Sequence, residues 1–226
     1  MKRMIGTAAF LLSVSAGAIA AAQTKSAIFL VIENGGVVTD REAAIETISF
    51  TFGELAQLRR RRATKDTQIH LLLTANPTEV SWSGTPQQLF DQGQHVLELI
   101  EFRDTCSDLV LAWDQVRLTA RITMPDDIQL VGIGPMIHAG FPCDSGETTI
   151  SLPQSAPAGL ALADLAGQAS VVRMVNVHAD QDEVYLDYFT DAGLIERARA
   201  GAVDFDLMDA ARTRAALGHI LGGHER

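Results

Sequence analysis

Short apolar runs and longer stretches of helical spacing take turns along the chain. AIFLVI at 27–32, TQIHLLL at 67–73, IQLVGI at 128–133 and VVRMVNV at 171–177 are nearly unbroken in apolar character, as strands covered on both faces are. Ile45, Ile48, Phe52, Leu55 and Leu58 recur at helical spacing over about Asp40 to Arg62. Leu109, Ala112, Trp113, Val116 and Ala120 do the same over about Ser107 to Arg121, so each segment presents one apolar face. Leu89, Val96, Leu97 and Ile100 predict a helix over Gln87 to Phe102, with Gly93 on its apolar face. Val184, Tyr185, Tyr188 and Phe189 mark the inner side of a helix from about Asp182 to Ala192, and a last helix is predicted from about Leu207 to Leu221.

The residues between these segments act as punctuation. Glu33-Asn34-Gly35-Gly36 breaks the first strand, and Thr39 with Glu42 has the spacing of a capping box. Asn76-Pro77 predicts a turn, Val80-Ser81-Trp82 a short edge strand, and Pro86 the first turn of a helix. Pro125 stops the Ser107 helix, and Gly134-Pro135 closes a strand before an irregular segment from His138 to about Ala158. Strands that alternate with helices imply a largely parallel sheet with helices on both faces, a three-layer α/β/α arrangement.

The N-terminus follows a different rule. Lys2 and Arg3 precede an apolar stretch from Met4 through Ile19, and small residues follow at Ala20, Ala21 and Ala22. That is the pattern of a secretory signal peptide, shorter than the roughly 20 apolar residues of a spanning helix. Cleavage near Ala20 to Ala22 is expected, placing the remainder in the periplasm or outside the cell with no stable membrane insertion. The expected organisation is a signal peptide at 1–22, an α/β domain at 23–194 and a C-terminal helical extension at 195–226. The chain's formal charge is −10, and such an acidic body is a poor general binder of nucleic acid or anionic lipid. Its one strongly basic run, Arg59 to Arg62, falls at the end of the first helix, where it reads either as a solvated helix end or as a docking patch for an acidic partner or phospholipid.

Cys106 and Cys143 are the only two cysteines, and export to an oxidising compartment predicts that they pair. A metal site or a catalytic thiol is the alternative, but neither cysteine has C-x-x-C or C-x-x-H spacing.

The order of pieces from about Ala27 to Ala192 resembles a von Willebrand factor A domain. Ser107-Asp108-Leu109-Val110-Leu111-Ala112-Trp113 resembles the family's hydroxyl-Asn-Leu/Ile-x-x-Ala-Leu start of a helix, and Val80-Ser81-Trp82-Ser83 the strand placed after its first helix. The resemblance implies a ligand-binding face at the carboxyl edge of the sheet, where members of the family often hold a divalent cation. They do so through an Asp-x-Ser-x-Ser turn, a threonine and a later aspartate. Here the turn aligns with Glu33-Asn34-Gly35-Gly36-Val37, Ser107 stands in the threonine position, and Gly134-Pro135 supplies no aspartate. The resemblance also puts Cys106 and Cys143 at that edge, where a disulfide either replaces the metal in fixing the loops or only tethers a long loop.

The expected function is therefore a non-catalytic module that binds another protein through Glu33, Asn34, Gly35, Ser107 and Asp108, with no cofactor. A metal-dependent adhesion domain keeping a cation on Glu33, Ser107 and waters is one alternative. A periplasmic hydrolase using the His178 edge and a nucleophile that no motif marks is another, although no G-x-S-x-G or phosphate-binding glycine loop is present. His178 with Asp180 and Asp182 reads as a solvated acidic turn or as a metal-ligand cluster.

Overall fold

A computed structural model of the chain describes residues 25–104, 107–139 and 152–221. The leader pattern, Cys106 and Cys143 lie outside the described residues. Strands β1 (Ser26–Ile32), β2 (Gln68–Leu73), β3 (Asn76–Gly84), β4 (Asp127–Ile133), β5 (Val171–Val177) and β6 (Asp204–Asp209) form one sheet. Their order is β3-β2-β1-β4-β5-β6. All neighbours are parallel except β2 and β3, which form an antiparallel hairpin.

Side chains of a strand leave the sheet alternately on its two faces, and β1 divides accordingly. Ala27, Phe29 and Val31 join a core with Trp113 and Val116 of α3 (Leu109–Thr123) and with Tyr185 and Phe189 of α5 (Asp182–Asp191). Ile28, Leu30 and Ile32 join the opposite core with Ile48, Phe52 and Leu55 of α1 (Arg41–Gln57) and Leu89 and Val96 of α2 (Pro86–Glu98). The short helices α4 (Leu162–Ala166) and α6 (Leu194–Arg199) lie on the α3 side, and the C-terminal segment with α7 (Ala210–Ala216) on the α1 side. The fold is thus three-layer α/β/α, and each fully buried Leu, Ile or Phe contributes about 1.5–3 kcal/mol to it. Close packing is visible at Gly132 of β4, where a Cβ would stand 2.6 Å from the Met174 sulfur and 3.5 Å from the Trp113 ring.

Several boundaries differ from the sequence expectation. Asp40 rather than Thr39 caps α1, its Oδ1 accepting from the Ala43 amide at 3.0 Å, and Ile45 on the expected inner face is half exposed. The turn predicted at Asn76-Pro77 sits two residues earlier, at Thr74-Ala75, so that Pro77 lies in the edge strand, where its missing N–H costs no ladder bond.

The tail is not helical from Leu207. Asp204-Phe205-Asp206-Leu207 alternates polar and apolar residues, a strand period, and it pairs with β5. The segment from 195 therefore contributes an edge strand, and Asp209 then caps α7 by accepting from the Arg212 amide at 2.8 Å. Buried Arg173 of β5 is paired with Asp204 and Asp206 of β6, and its Nε donates to the Ile220 carbonyl at 3.1 Å. Glu54 of α1 accepts from the amides of Ile220 and Leu221 at 3.0 and 2.6 Å, fastening the end of the described chain. No helix among the described residues is long and apolar enough to cross a membrane.

Candidate functional site

In open α/β sheets a ligand crevice opens outside the carboxyl ends of the strands where the order reverses, here between β1 and β4. Glu33 follows β1 and Gly134 follows β4. The Glu33 amide still donates to the Ile133 carbonyl at 2.9 Å, and the Gly134 amide to that of Val175 at 3.0 Å. From that position the Glu33 side chain fills the crevice. Its Oε1 accepts from the Met136 amide at 2.6 Å and its Oε2 from the Ser107 hydroxyl at 3.4 Å. Ser107 Oγ is in turn 2.7 Å from the Thr74 hydroxyl. One carboxyl group thereby joins the chain after β1, the chain before α3 and the chain after β4.

Glu33 is 2 % exposed, and Ser107 and Thr74 are fully buried. Burial pushes the Glu33 carboxyl up to about 8, against the hydrogen bonds from Met136, Ile137 and Ser107, which favour the charged form. At neutral pH the group is mostly a neutral acid. The backbone is shaped to suit it. Gly134 has φ +150, and a Cβ there would stand 2.4 Å from the Glu33 Cβ, while Met136 is left-handed at φ 58. A bulky residue in that conformation is held by its surroundings rather than by preference.

The other predicted residues gather at the same edge. Asn34 accepts from the Ala75 amide at 2.9 Å through Oδ1 and donates to the Glu101 carbonyl at 2.8 Å through Nδ2. Gly35 closes a tight turn by accepting from the Val38 amide at 3.1 Å. Asp108 caps α3, its Oδ1 accepting from the Leu111 amide at 2.9 Å while its own amide donates to the Thr74 carbonyl at 3.0 Å. All five residues are buried. They lie beneath the loop surface and support it. The exposed side chains above them are Thr39, Asp40, Arg41, Glu101, Arg103 and Asp104, with Arg41 paired to Asp104 and lying 5.9 Å from the Phe102 ring centre.

Sequence reasoning missed Thr74, the Met136 amide and a small apolar cluster of Val37, Val38, Ala44 and Ile137 that fastens the β1–α1 loop to the chain after β4. Thr74 is a hydroxyl at the end of an apolar run and could have been found. A backbone amide has no sequence signal.

A divalent cation does not fit these residues. Glu33 directs both oxygens to protein donors, Ser107 is bonded to Glu33 and Thr74, and no carboxylate follows β4 at Gly134-Pro135. Among the described residues no three His, Cys, Asp or Glu side chains are placed to hold a metal ion. The His178 edge is equally dispersed. His178 Nδ1 accepts from the Asp180 amide at 3.2 Å, capping a single helical turn, and Asp182 is paired with Arg212, burial raising its carboxyl despite that partner. His70 is a sheet-face residue, stacked on Phe29 at 5.0 Å and bonded to Ser83 at 2.8 Å.

The disulfide expected between Cys106 and Cys143 lies outside the described residues, but their flanks meet. Ser107 and Ala139 exchange two backbone hydrogen bonds at 3.0 and 2.9 Å. This joins the residue after one cysteine to a residue four positions before the other.

No protein-family model matches the chain, and no curated protein matches its sequence. Among solved structures it is similar to the three N-terminal domains of the type V pili tip protein Mfa5 from Porphyromonas gingivalis, with a TM-score of 0.37 and 11% identity. That match covers 56% of this chain and 24% of the other. A likeness so slight carries no argument about function.

Proposed function

We propose that this protein is a periplasmic or secreted, non-catalytic binding module of von Willebrand factor A-like architecture. In this reading it engages another protein through the loops at the carboxyl edge of its sheet, without a cation. The observation that carries the reading is the Glu33 carboxyl, which bridges the chain after β1, before α3 and after β4 from within the switch-point crevice. The Glu33 side chain occupies the position where a small substrate would sit and ties three segments of the edge together, and such ties lower the ordering cost of binding a protein surface. Arg41, Glu101, Arg103 and Asp104 offer both signs of charge above it. A disulfide between Cys106 and Cys143 would add a covalent tie at the same edge.

Affinity purification from the native envelope tests this. The wild type is compared with the double variant Arg41→Ala, Asp104→Ala. A defined protein captured by the wild type, with chelator present, and lost from the variant supports the proposal. Capture that requires Mg²⁺ or Ca²⁺ would return the cation-dependent adhesion reading, and capture indifferent to the variant would move the binding surface elsewhere.

A further inference from the structure

The opposite edge of the sheet holds the chain's densest positive charge. Arg59, Arg60, Arg61, Arg62 and Lys65 occupy positions 59–65 of a protein whose formal charge is −10. Complementing the helix end accounts for only part of them: Arg59 donates to the Ala56 carbonyl at 2.8 Å, in the last turn of α1. Helix α1 ends at Gln57 and one tighter turn covers Leu58–Arg60, so Arg61 and Arg62 lie beyond the last turn, where the dipole effect has faded. Arg60, Arg61 and Arg62 are exposed and form no ion pair among the described residues, and Lys65 is 3.8 Å from Asp66.

The corner also carries an aromatic side chain. β3 runs antiparallel to β2, with Gly84 opposite Ile69, so α2 begins at the amino edge that the arginines occupy. From its second turn Phe90 projects 55% exposed, with the Arg59 guanidinium 3.7 Å from its ring centre. Exposed guanidiniums at Arg60 to Arg62, without ion-pair partners among the described residues, near an exposed aromatic ring suit an interface of phosphates over hydrocarbon. The guanidinium fork matches phosphate oxygens in pairs, and the ring can sit at the headgroup boundary.

We propose that this corner, Arg59 to Arg62 with Lys65 and Phe90, is a docking surface for a bilayer containing anionic phospholipid. The exposed ring selects a bilayer over other polyanions: Phe90 stands 55% exposed beside the arginines, and a headgroup layer is the polyanion that sets hydrocarbon beneath its phosphates. Contact here is peripheral and leaves the carboxyl edge facing away from the membrane, so the inference stands independently of what that edge binds.

The test is co-sedimentation of the purified protein with vesicles of phosphatidylglycerol and phosphatidylcholine, against vesicles of phosphatidylcholine alone, at low and at high salt. The wild type binds the anionic vesicles at low salt and is released by high salt. Arg60→Gln, Arg61→Gln and Arg62→Gln combined weaken binding at least about tenfold, since each cation near an anionic surface adds measurably to affinity. Phe90→Ser weakens it as well, while the corresponding triple lysine variant retains most of it. These side chains are exposed, so unchanged melting temperatures show that the variants are folded. Equal binding by wild type and the glutamine variant, or no binding to anionic vesicles, overturns the proposal. So does tighter binding to polyglutamate or DNA than to the vesicles, which would assign the patch to another polyanion.

Discussion

Oε1 of Glu33 and the amide nitrogen of Met136 are 2.6 Å apart, across the point where the order of the sheet reverses. The contact links residues 103 positions apart in sequence, so its strength reports on the whole edge rather than on one loop. It also places an acid where water cannot reach it, and pH-dependent stability follows.

In the unfolded chain Glu33 titrates near 4.5, and in the folded one near 8. The folded state therefore binds the extra proton between those values. The stabilising contribution of the neutral acid is complete below 4.5 and is lost as pH rises to 8. Over that window Glu33 lowers stability by an amount on the order of 5 kcal/mol. Glu33→Gln keeps an oxygen for the Met136 amide and can donate to Ser107. It should remove this slope and leave the variant more stable than wild type at pH 9, by urea unfolding at pH 5, 7 and 9. Glu33→Ala should instead cost about 2–4 kcal/mol at pH 5, because it leaves a buried amide without an acceptor and opens a cavity.

Two glycines make a contrasting pair. At Gly134 the backbone is at φ +150 and a Cβ would meet Glu33 at 2.4 Å, so Gly134→Ala should destabilise by about 2–4 kcal/mol. At Gly93 in α2 nothing lies within 4 Å of the added methyl, so Gly93→Ala should stabilise by about 0.5–1 kcal/mol. Thermal melts of the two single variants decide both signs.

The C-terminal clamp gives a third expectation. Ile220 is buried at 1% exposure, and its carbonyl and amide are held by Arg173 and Glu54. Ile220→Ala should cost about 2–4 kcal/mol. Arg173→Met should cost less than that, since the aspartates it leaves behind are half exposed and remain solvated. Denaturant unfolding of both variants checks the order.

A disulfide between Cys106 and Cys143 would close a loop of 36 intervening residues, worth about 3–4 kcal/mol in the chain-entropy description. Reduction, or the Cys106→Ser variant, should lower the melting temperature, and mass spectrometry of the unreduced protein should find one linked peptide pair. Two free thiols in protein isolated from the envelope would contradict the pairing.

The strands were legible because β1, β2, β4 and β5 are buried on both faces and their sequences show it. β6 was not, because an edge strand of aspartates alternating with Phe205 and Leu207 is short and adjoins a true helix, with Leu207 and Met208 also fitting that helix's apolar spacing. Glu33, Asn34, Gly35, Ser107 and Asp108 could be grouped from the punctuation of strands and helix starts. Their inward direction could not, since it depends on the Met136 and Ala75 amides and the Glu101 carbonyl, backbone groups that any sequence supplies.

The most direct test of the central claim is site-specific photo-cross-linking in the native envelope. A photoreactive residue would be placed at Arg41 or Asp104 on the carboxyl edge and, as a reference, at Leu118 on the exposed side of α3. A discrete protein adduct at the first two positions, absent at Leu118 and undiminished by chelator, is the expected result. Adducts that vanish with chelator, or that form at Leu118 and not at the carboxyl edge, would contradict a cation-independent binding face there.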